Sequence, residues 1–261
     1  MRKGYRPAVA RSIQLSTFRY KSQVLKFQKK VSFVLTPQVH ENYFLNFRAN
    51  CMRDIIPDYS GHNAPGSWQA TDASWDPAVA VSPDGYTEWS AKYQYSRVLS
   101  SKITVTVRNL ETGALDPYTV MIIKSPSENY VANSTTLAQL ESRPYMVRNY
   151  QSANQGEGSS TRLFSTLSCK KFFGIKDMQD TNNTAISNPG TTGSATPGKE
   201  AFYHLCLTSA LGRAQDNLPP EALINVRIEY ITQFFGTTST NIPQPGSAAG
   251  GAAAAPIHDE F

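Results

Sequence analysis

The sequence predicts an all-β protein, an antiparallel sandwich of about eight strands with short helices in its connections, on three observations. Several stretches alternate apolar and polar residues with a period of two, which gives a strand one buried and one wet face. No helical pattern of about 10–15 residues separates these stretches, so a parallel sheet built from strand–helix–strand units is disfavoured. Charged residues make up only 17% of the chain, and its Gly, Pro, Ser, Thr and Asn are spread throughout, as many short strands joined by turns require. Strands that are apolar on one side bury that side best when two sheets pack face to face. A chain of 261 residues can bury a sizeable core and lies near the upper end for one all-β domain.

The clearest element runs to Arg108. Leu99, Ser101, Ile103, Val105 and Val107 share one parity and Ser100, Lys102, Thr104, Thr106 and Arg108 the other. The first set is expected inside and the second in water. Branching at Cβ through Ile103, Val105 and Val107 favours the pleated conformation. Just before it, Trp89 and Tyr93 stand four apart, which places both rings on one face of a helical turn that feeds the strand.

The remaining elements follow in chain order. Residues 1–22 lack apolar periodicity and contain Gly4 and Pro7, which predicts an arm without regular structure. Residues 24–35 form the first body strand, with Leu25, Phe27, Val31, Phe33 and Leu35 on one face, and residues 43–48 a second, with Tyr43, Leu45 and Phe47 inward. A long connection without clear period fills 56–83, of a length that is usually functional or interface-forming. After a turn at 111–113, the continuously apolar run 118–123 reads as a strand covered on both faces. Thr136 and Gln139 form a capping box for a short helix through Glu141, which Pro144 stops. Strands are expected at 145–150 and 159–173, a long Gly-, Pro- and Asn-rich loop at 182–198, and a last strand at 224–230 with Ile224, Val226, Ile228 and Tyr230 inward. Residues 201–207 fit helix or strand equally by period. The chain thus divides into an arm (1–22), a body (23–236) and a Gly-, Ala- and Pro-rich tail (237–261).

Charge singles out the arm. Residues 1–40 hold nine Lys or Arg and no acid, while the rest of the chain holds 16 basic against 20 acidic residues, a net −4. A basic arm on a near-neutral body reads as a polyanion-binding tail, with Arg2, Lys3, Arg6, Arg11, Arg19 and Lys21 as its binding residues; Lys26, Lys29 and Lys30 lie on the first strand. Lys170 and Lys171 are the next candidates on the body.

Other chemistry finds little support. No apolar run reaches the roughly 18 residues of a membrane span, and the first 30 residues lack a signal-peptide core, so folding in a reducing compartment is expected. The N-x-[ST] matches at Asn133 and Asn182 then read as unused surface loops. Cys51, Cys169 and Cys206 have no paired spacing and read as small buried hydrophobes; His40, His62, His204 and His258 share no ligand spacing. The run G-S-A-T-P-G-K at 193–199 matches a phosphate-binding loop up to its last position, where Glu200 stands in place of the hydroxyl that binds magnesium, and Pro197 removes a backbone donor. Asp72, Asp76 and Asp84 read as a solvated loop ahead of a calcium site. No G-x-S-x-G occurs, and neither catalytic residue, cofactor nor metal is expected. The many Tyr and Phe lie mostly at core parity or in loops, which favours packing and intersubunit contact over base stacking.

Three runs carry a family resemblance: W-S-A-K-Y-Q-Y-S-R-V-L-S-S-K-I-T-V-T-V at 89–107, L-S-C-K-K-F-F-G-I-K-D at 167–177 and I-N-V-R-I-E-Y-I-T-Q-F-F-G at 224–236. In order, across roughly residues 23–236, they resemble the capsid proteins of small circular Rep-encoding single-stranded DNA (circovirus-like) viruses. The resemblance implies an eight-stranded jelly roll, with 201–207 a strand, and a structural protein rather than an enzyme. It further implies self-assembly into an icosahedral shell of about 60 copies that packages a circular single-stranded DNA genome, with host nuclear-import receptors as further partners and no membrane. The virion, and the host nucleus or cytoplasm during assembly, are the implied locations. The arm departs from the densely arginine-rich arms of that family. A capsid of a small RNA virus, and a non-viral β-sandwich that binds single-stranded nucleic acid or carbohydrate, stay open as alternatives.

Overall fold

The computed structural model describes residues 22–35, 42–57, 68–70, 81–110, 117–132, 134–151, 160–175, 185–186, 196–210 and 221–237. Its strands are β1 (Gln23–Leu35), β2 (Asn42–Arg48), β3 (Trp68–Ala70), β4 (Tyr93–Asn109), β5 (Tyr118–Ser125), β6 (Met146–Gln151), β7 (Ser160–Ser168), β8 (Ala185–Ile186), β9 (Phe202–Ser209) and β10 (Ala222–Thr237). Helices α1 (Tyr86–Lys92), α2 (Leu137–Glu141) and α3 (Cys169–Phe172) and a 3-10 turn at Glu128–Tyr130 lie in the connections.

The pairing is antiparallel throughout, in two sheets. One runs β3-β1-β10-β4-β7 with β8 added beside β4, and the other runs β2-β9-β5-β6. Apart from the adjacent pair β5 and β6, the eight long strands alternate between sheets in the order that defines a jelly roll, with first beside last and second beside second-to-last. Residues 202–209 are strand, which settles the stretch that periodicity left open.

The inner faces form one core. Phe33 and Leu35 from β1, Ile103, Val105 and Val107 from β4, Tyr118, Val120 and Ile122 from β5, and Ile224, Ile228 and Tyr230 from β10 are all essentially inaccessible to solvent. Two tyrosine hydroxyls within it are paired: that of Tyr118 donates to Asn109 Oδ1 at 2.5 Å, and that of Tyr230 to Arg48 O at 2.6 Å. The Trp89 and Tyr93 rings stack at 6.1 Å and, with Phe27 and Tyr86, surround Phe234 at 5.7–6.5 Å, so the expected aromatic turn closes one end of the sandwich. Beside this plug Gly236 has φ +69°, and a Cβ there would stand 3.0 Å from the Tyr95 ring, so glycine is required on both counts.

Several expectations need correction. Ile231 pairs with Ser100 while Thr232 pairs with Val98, so Leu99 is an extra, unpaired residue, a β-bulge. The inward parity passes from Ser101 to Val98, and Leu99, expected inside, is only half-buried. Thr104 does lie on the outer side but is shaded to 8% exposure by Arg227 and Phe164, its neighbours in register. The strand expected over 159–173 stops at Ser168, where α3 begins. The loop at 182–198 contains β8, and β10 reaches one residue into the expected tail. The remainder of that tail lies outside the described residues, as does most of the connection at 56–83.

Candidate nucleic-acid interface

The register of β1, β10, β4 and β7 turns four separate alternations into one surface. Lys30, Arg227, Thr104 and Phe164 form one row across the strands, and Gln28, Glu229, Lys102 and Thr166 the next. Ser32, Asn225, Thr106 and Arg162 form a row on the other side, beyond which Arg108 pairs with Leu223. Because the opposite parity of every one of these strands fills the core, all these side chains point away from it. Lys26 joins them on β1, diagonal to Glu229.

The outer face thus carries Lys26, Lys30, Lys102, Arg108, Arg162 and Arg227, and Glu229 is the sole acid on the four strands. Glu229 is shared: Lys26 Nζ donates to it at 2.7 Å and Arg227 at 2.8 Å. The hydrogen bond from Lys26 holds its carboxyl below the usual carboxylate range. Among the described residues, Lys30, Lys102, Arg108 and Arg162 have no acidic partner. Lys30 stands directly opposite Arg227, a like-charge pairing that a sheet ordinarily avoids. In the middle lies Phe164, 60% exposed, with the Lys102 ammonium 5.2 Å from its ring centre. Past the bulge, Arg97 lies buried 4.3 Å from the Phe235 ring. Cations spaced by short polar side chains around an aromatic can attract the phosphates of a single strand without reading its bases.

Some sequence candidates fall elsewhere. Arg2, Lys3, Arg6, Arg11, Arg19 and Lys21 lie outside the described residues. Of the three lysines on β1, Lys26 and Lys30 belong to the basic face, whereas Lys29 has the other parity and donates to Asp84 at 2.8 Å. Asp84 is thereby an ion-pair partner; Asp72 and Asp76, like His40, His62 and His258, lie outside the described residues. Lys170 and Lys171 are exposed on α3. Of the phosphate-loop look-alike at 193–199, residues 193–195 lie outside the described residues. Residues 196–200 lead into β9 and not into a helix, with the Asn50 amide donating to Lys199 O at 2.6 Å and Glu200 lying 3.4 Å from Arg48 Nε, so this part is a brace. His204 and the three free thiols are buried, and desolvation pushes Cys51 up to about 11 and Cys169 to about 12, which leaves these thiols unreactive. Among the described residues no group of three His, Cys, Asp or Glu lies close enough to hold a metal ion, and no helix is long and apolar enough to cross a membrane.

Lys102, Arg108, Arg162, Arg227 and Phe164 were missed as site residues by sequence reasoning. Their signal was present as cations on the wet parity of three strands, but only the strand order shows that those strands are neighbours.

The chain is, by its own strand order, a jelly-roll sandwich with one basic sheet face that is uncovered among the described residues. No protein-family model matches it, and no curated protein does. Among solved structures it is similar to the BFDV capsid protein crystallised as a 60-mer, at 9% identity over 85% of this chain and 98% of that one, with a TM-score of 0.44. It is also similar to the chain of a Macrobrachium rosenbergii nodavirus particle, at 7% identity over 83% and 95% with a TM-score of 0.42. The mud crab tombus-like virus gives 8% identity over 91% of each chain with a TM-score of 0.41.

Proposed function

We propose that the chain is a viral capsid protein of the circovirus-like class, which assembles into an icosahedral shell of about 60 copies and packages circular single-stranded DNA. The observation that carries this reading is the outer face of the β1-β10-β4-β7 sheet, where six cations face one acid on a jelly-roll body. The sequence runs at 89–107, 167–177 and 224–236 support the class. In this reading residues 1–22 are an inward arm, 23–236 the shell domain and 237–261 a tail. The virion is the protein's location, and shells form in the host nucleus or cytoplasm. Arm and face act together: the arm's six cations, Arg2, Lys3, Arg6, Arg11, Arg19 and Lys21, reach along the strand, and the sheet face holds the segment nearest the shell.

Electron microscopy of the purified full chain should show uniform closed shells, and a chain truncated to start at Gln23 should still form them. Persistent monomers or small oligomers of the full chain would point to a binding module instead. Nucleic acid extracted from particles should be degraded by DNase; degradation by RNase alone would move the protein to an RNA virus. For the unassembled subunit, each phosphate contact on a single strand contributes about −0.7 to the slope of log affinity against log salt. The arm and the four unpaired face cations together should give a slope near −7. Replacing the arm's six by Gln should leave about −3, and replacing Lys30, Lys102, Arg108 and Arg162 as well should bring it toward zero. A slope that vanishes with the arm alone would remove the sheet face from the reading.

A further inference from the structure

At the β7 edge of the basic face the two sheets leave a cleft of about 250 Å³. Its walls are Lys124 near the end of β5, Tyr145 just before β6, Thr166 and Ser168 at the end of β7, and Lys171 and Phe172 on α3. Lys124 spans the gap: its ammonium donates to Thr166 O at 3.0 Å and lies 5.7 Å from the Tyr145 ring centre. Partial desolvation lowers its pKa, and among the described residues no carboxylate pairs with Lys124 or Lys171. The cleft is therefore lined by two lysines that no carboxylate answers among the described residues.

Tyr145 is the second observation. Its φ is +60°, the left-handed region that disfavours every residue with a large side chain, yet the residue is 63% exposed. Burial does not explain why a ring is held there. The ring lies 5.9 Å from Phe172, which packs edge-on against Phe173 at 5.2 Å, so the backbone strain presents an aromatic platform at the cleft mouth beside the two lysines. An aromatic plane flanked by cations fits a planar ring that carries phosphate. A sulfated sugar would use the cations but leave the platform idle. Position favours the same ligand, because Thr166 in the cleft wall pairs with Lys102, whose ammonium sits over Phe164 on the basic face.

We infer that this cleft takes one nucleotide of a bound single strand, its base stacked on Tyr145 and its phosphate between Lys124 and Lys171. This rests on the nucleic-acid reading of the sheet face and adds a contact that holds the strand by a base as well as by charge.

Equilibrium dialysis of the full chain with labelled 2′-deoxyadenosine 5′-monophosphate is the test, with inorganic phosphate and a sulfated disaccharide as competitors. Saturable nucleotide binding is expected, with both competitors at least about ten-fold weaker. Tyr145→Gly removes the ring while accepting φ +60°, so the fold is retained and affinity should fall on the order of ten-fold or more. Tyr145→Phe should bind as the parent does, and Lys171→Gln should lose several-fold. Replacing Lys30, Arg108 and Arg162 by Gln should leave mononucleotide binding unchanged while flattening the salt slope of a 30-residue single strand. Equal binding by Tyr145→Gly, or equal competition by the sulfated sugar, would overturn the inference. Failure of the packaging reading looks different: the wild-type chain would ignore the 30-residue strand altogether. Tyr145-dependent nucleotide binding in such a chain would uphold the cleft and remove only the packaging role.

Discussion

The two sheets share one core but turn very different backs outward. The back of β1-β10-β4-β7 is uncovered among the described residues, and it is basic. The back of β2-β9-β5-β6 is covered by the connection that holds the 3-10 turn and α2: Met121, Ile123 and Cys206 pack there against Val131 and Leu140 in a second apolar cluster. A polar pin fixes the cover, with His204 Nδ1 donating to Asn46 Oδ1 at 2.5 Å and the Asn46 amide donating to Glu128 O at 3.2 Å. Cations on the covered sheet are also answered differently. Arg48 is 3.1 Å from Asp54 and Arg148 pairs with Glu141, which leaves Lys124 on β5 as the cation without an acid, while among the described residues the basic sheet leaves four. Among the described residues, alternation along a strand thus yields a charged surface where no connection crosses its back, and β5, apolar on both parities, marks the sheet that is crossed.

The comparison is broken most severely at the shared core. Ile103 is fully buried and Thr104, one residue on, belongs to the basic back. Ile103→Asp places an unpaired carboxylate in the core at a cost of about 4 kcal/mol or more, a large part of a typical domain's stability, and should leave no soluble folded protein. Thr104→Asp sets its carboxylate beside Arg227 and should fold, as judged by near-ultraviolet circular dichroism. Equal behaviour of the two would mean that the faces are misassigned.

Next come the two backs themselves. Leu140 is fully buried in the cover, so Leu140→Ala should cost about 2–5 kcal/mol in urea unfolding. Phe164 on the uncovered back is 60% exposed, and Phe164→Ala should stay within about 0.5 kcal/mol. A large loss at Phe164 would show that this ring is packed rather than presented.

The pin under the cover gives a pH dependence. Burial lowers the pKa of His204 from 6.5 to about 4. Between these values the unfolded chain binds a proton that the folded chain refuses, so stability should fall as pH drops, by about 2 kcal/mol between pH 7 and 5. Glu229 adds little in this window, since its depressed pKa matters mainly below the ordinary carboxylate value of 4.5. Burial raises Glu200, which offsets part of the loss and makes the His204→Gln comparison the measurement that isolates the imidazole. His204→Gln should shrink the difference in urea midpoint between pH 7 and 5; an unchanged difference would place the titrating group elsewhere.

Much of this was legible in the sequence, and the unread part has definite physical causes. The parity of β1, the inner half of β4 and β10, the two-faced run of β5 and the capping box at Thr136 and Gln139 are local signals, and the structure keeps each of them. Leu99 was misplaced because a bulge is a property of two strands, fixed by what β10 does opposite β4. Lys29 and Lys30 are adjacent in sequence and differ in role only because Asp84 approaches one parity of β1. The basic face combines cations from residues 26 to 227, so it exists only once strand order is known. The cleft beside it depends on the φ of Tyr145, which no periodicity encodes.

The smallest effect tests whether the basic back is maintained against stability. Lys30 and Arg227 face each other directly across β1 and β10, and like charges so placed are destabilising. Lys30→Glu converts the pair into an opposite-charge one and should raise stability by about 0.2–1 kcal/mol. The same change removes a cation and adds an anion on the proposed path of the strand, so affinity for a 30-residue single strand should fall and its salt slope should drop by about 0.7 or more. Opposite signs in the two measurements are what a surface shaped for a polyanion predicts, since functional sites commonly forgo stability that a single substitution can restore. A variant that gains stability and binds as before would show that the repulsion across this row serves no ligand, and the basic back would then be only the uncovered side of a sheet.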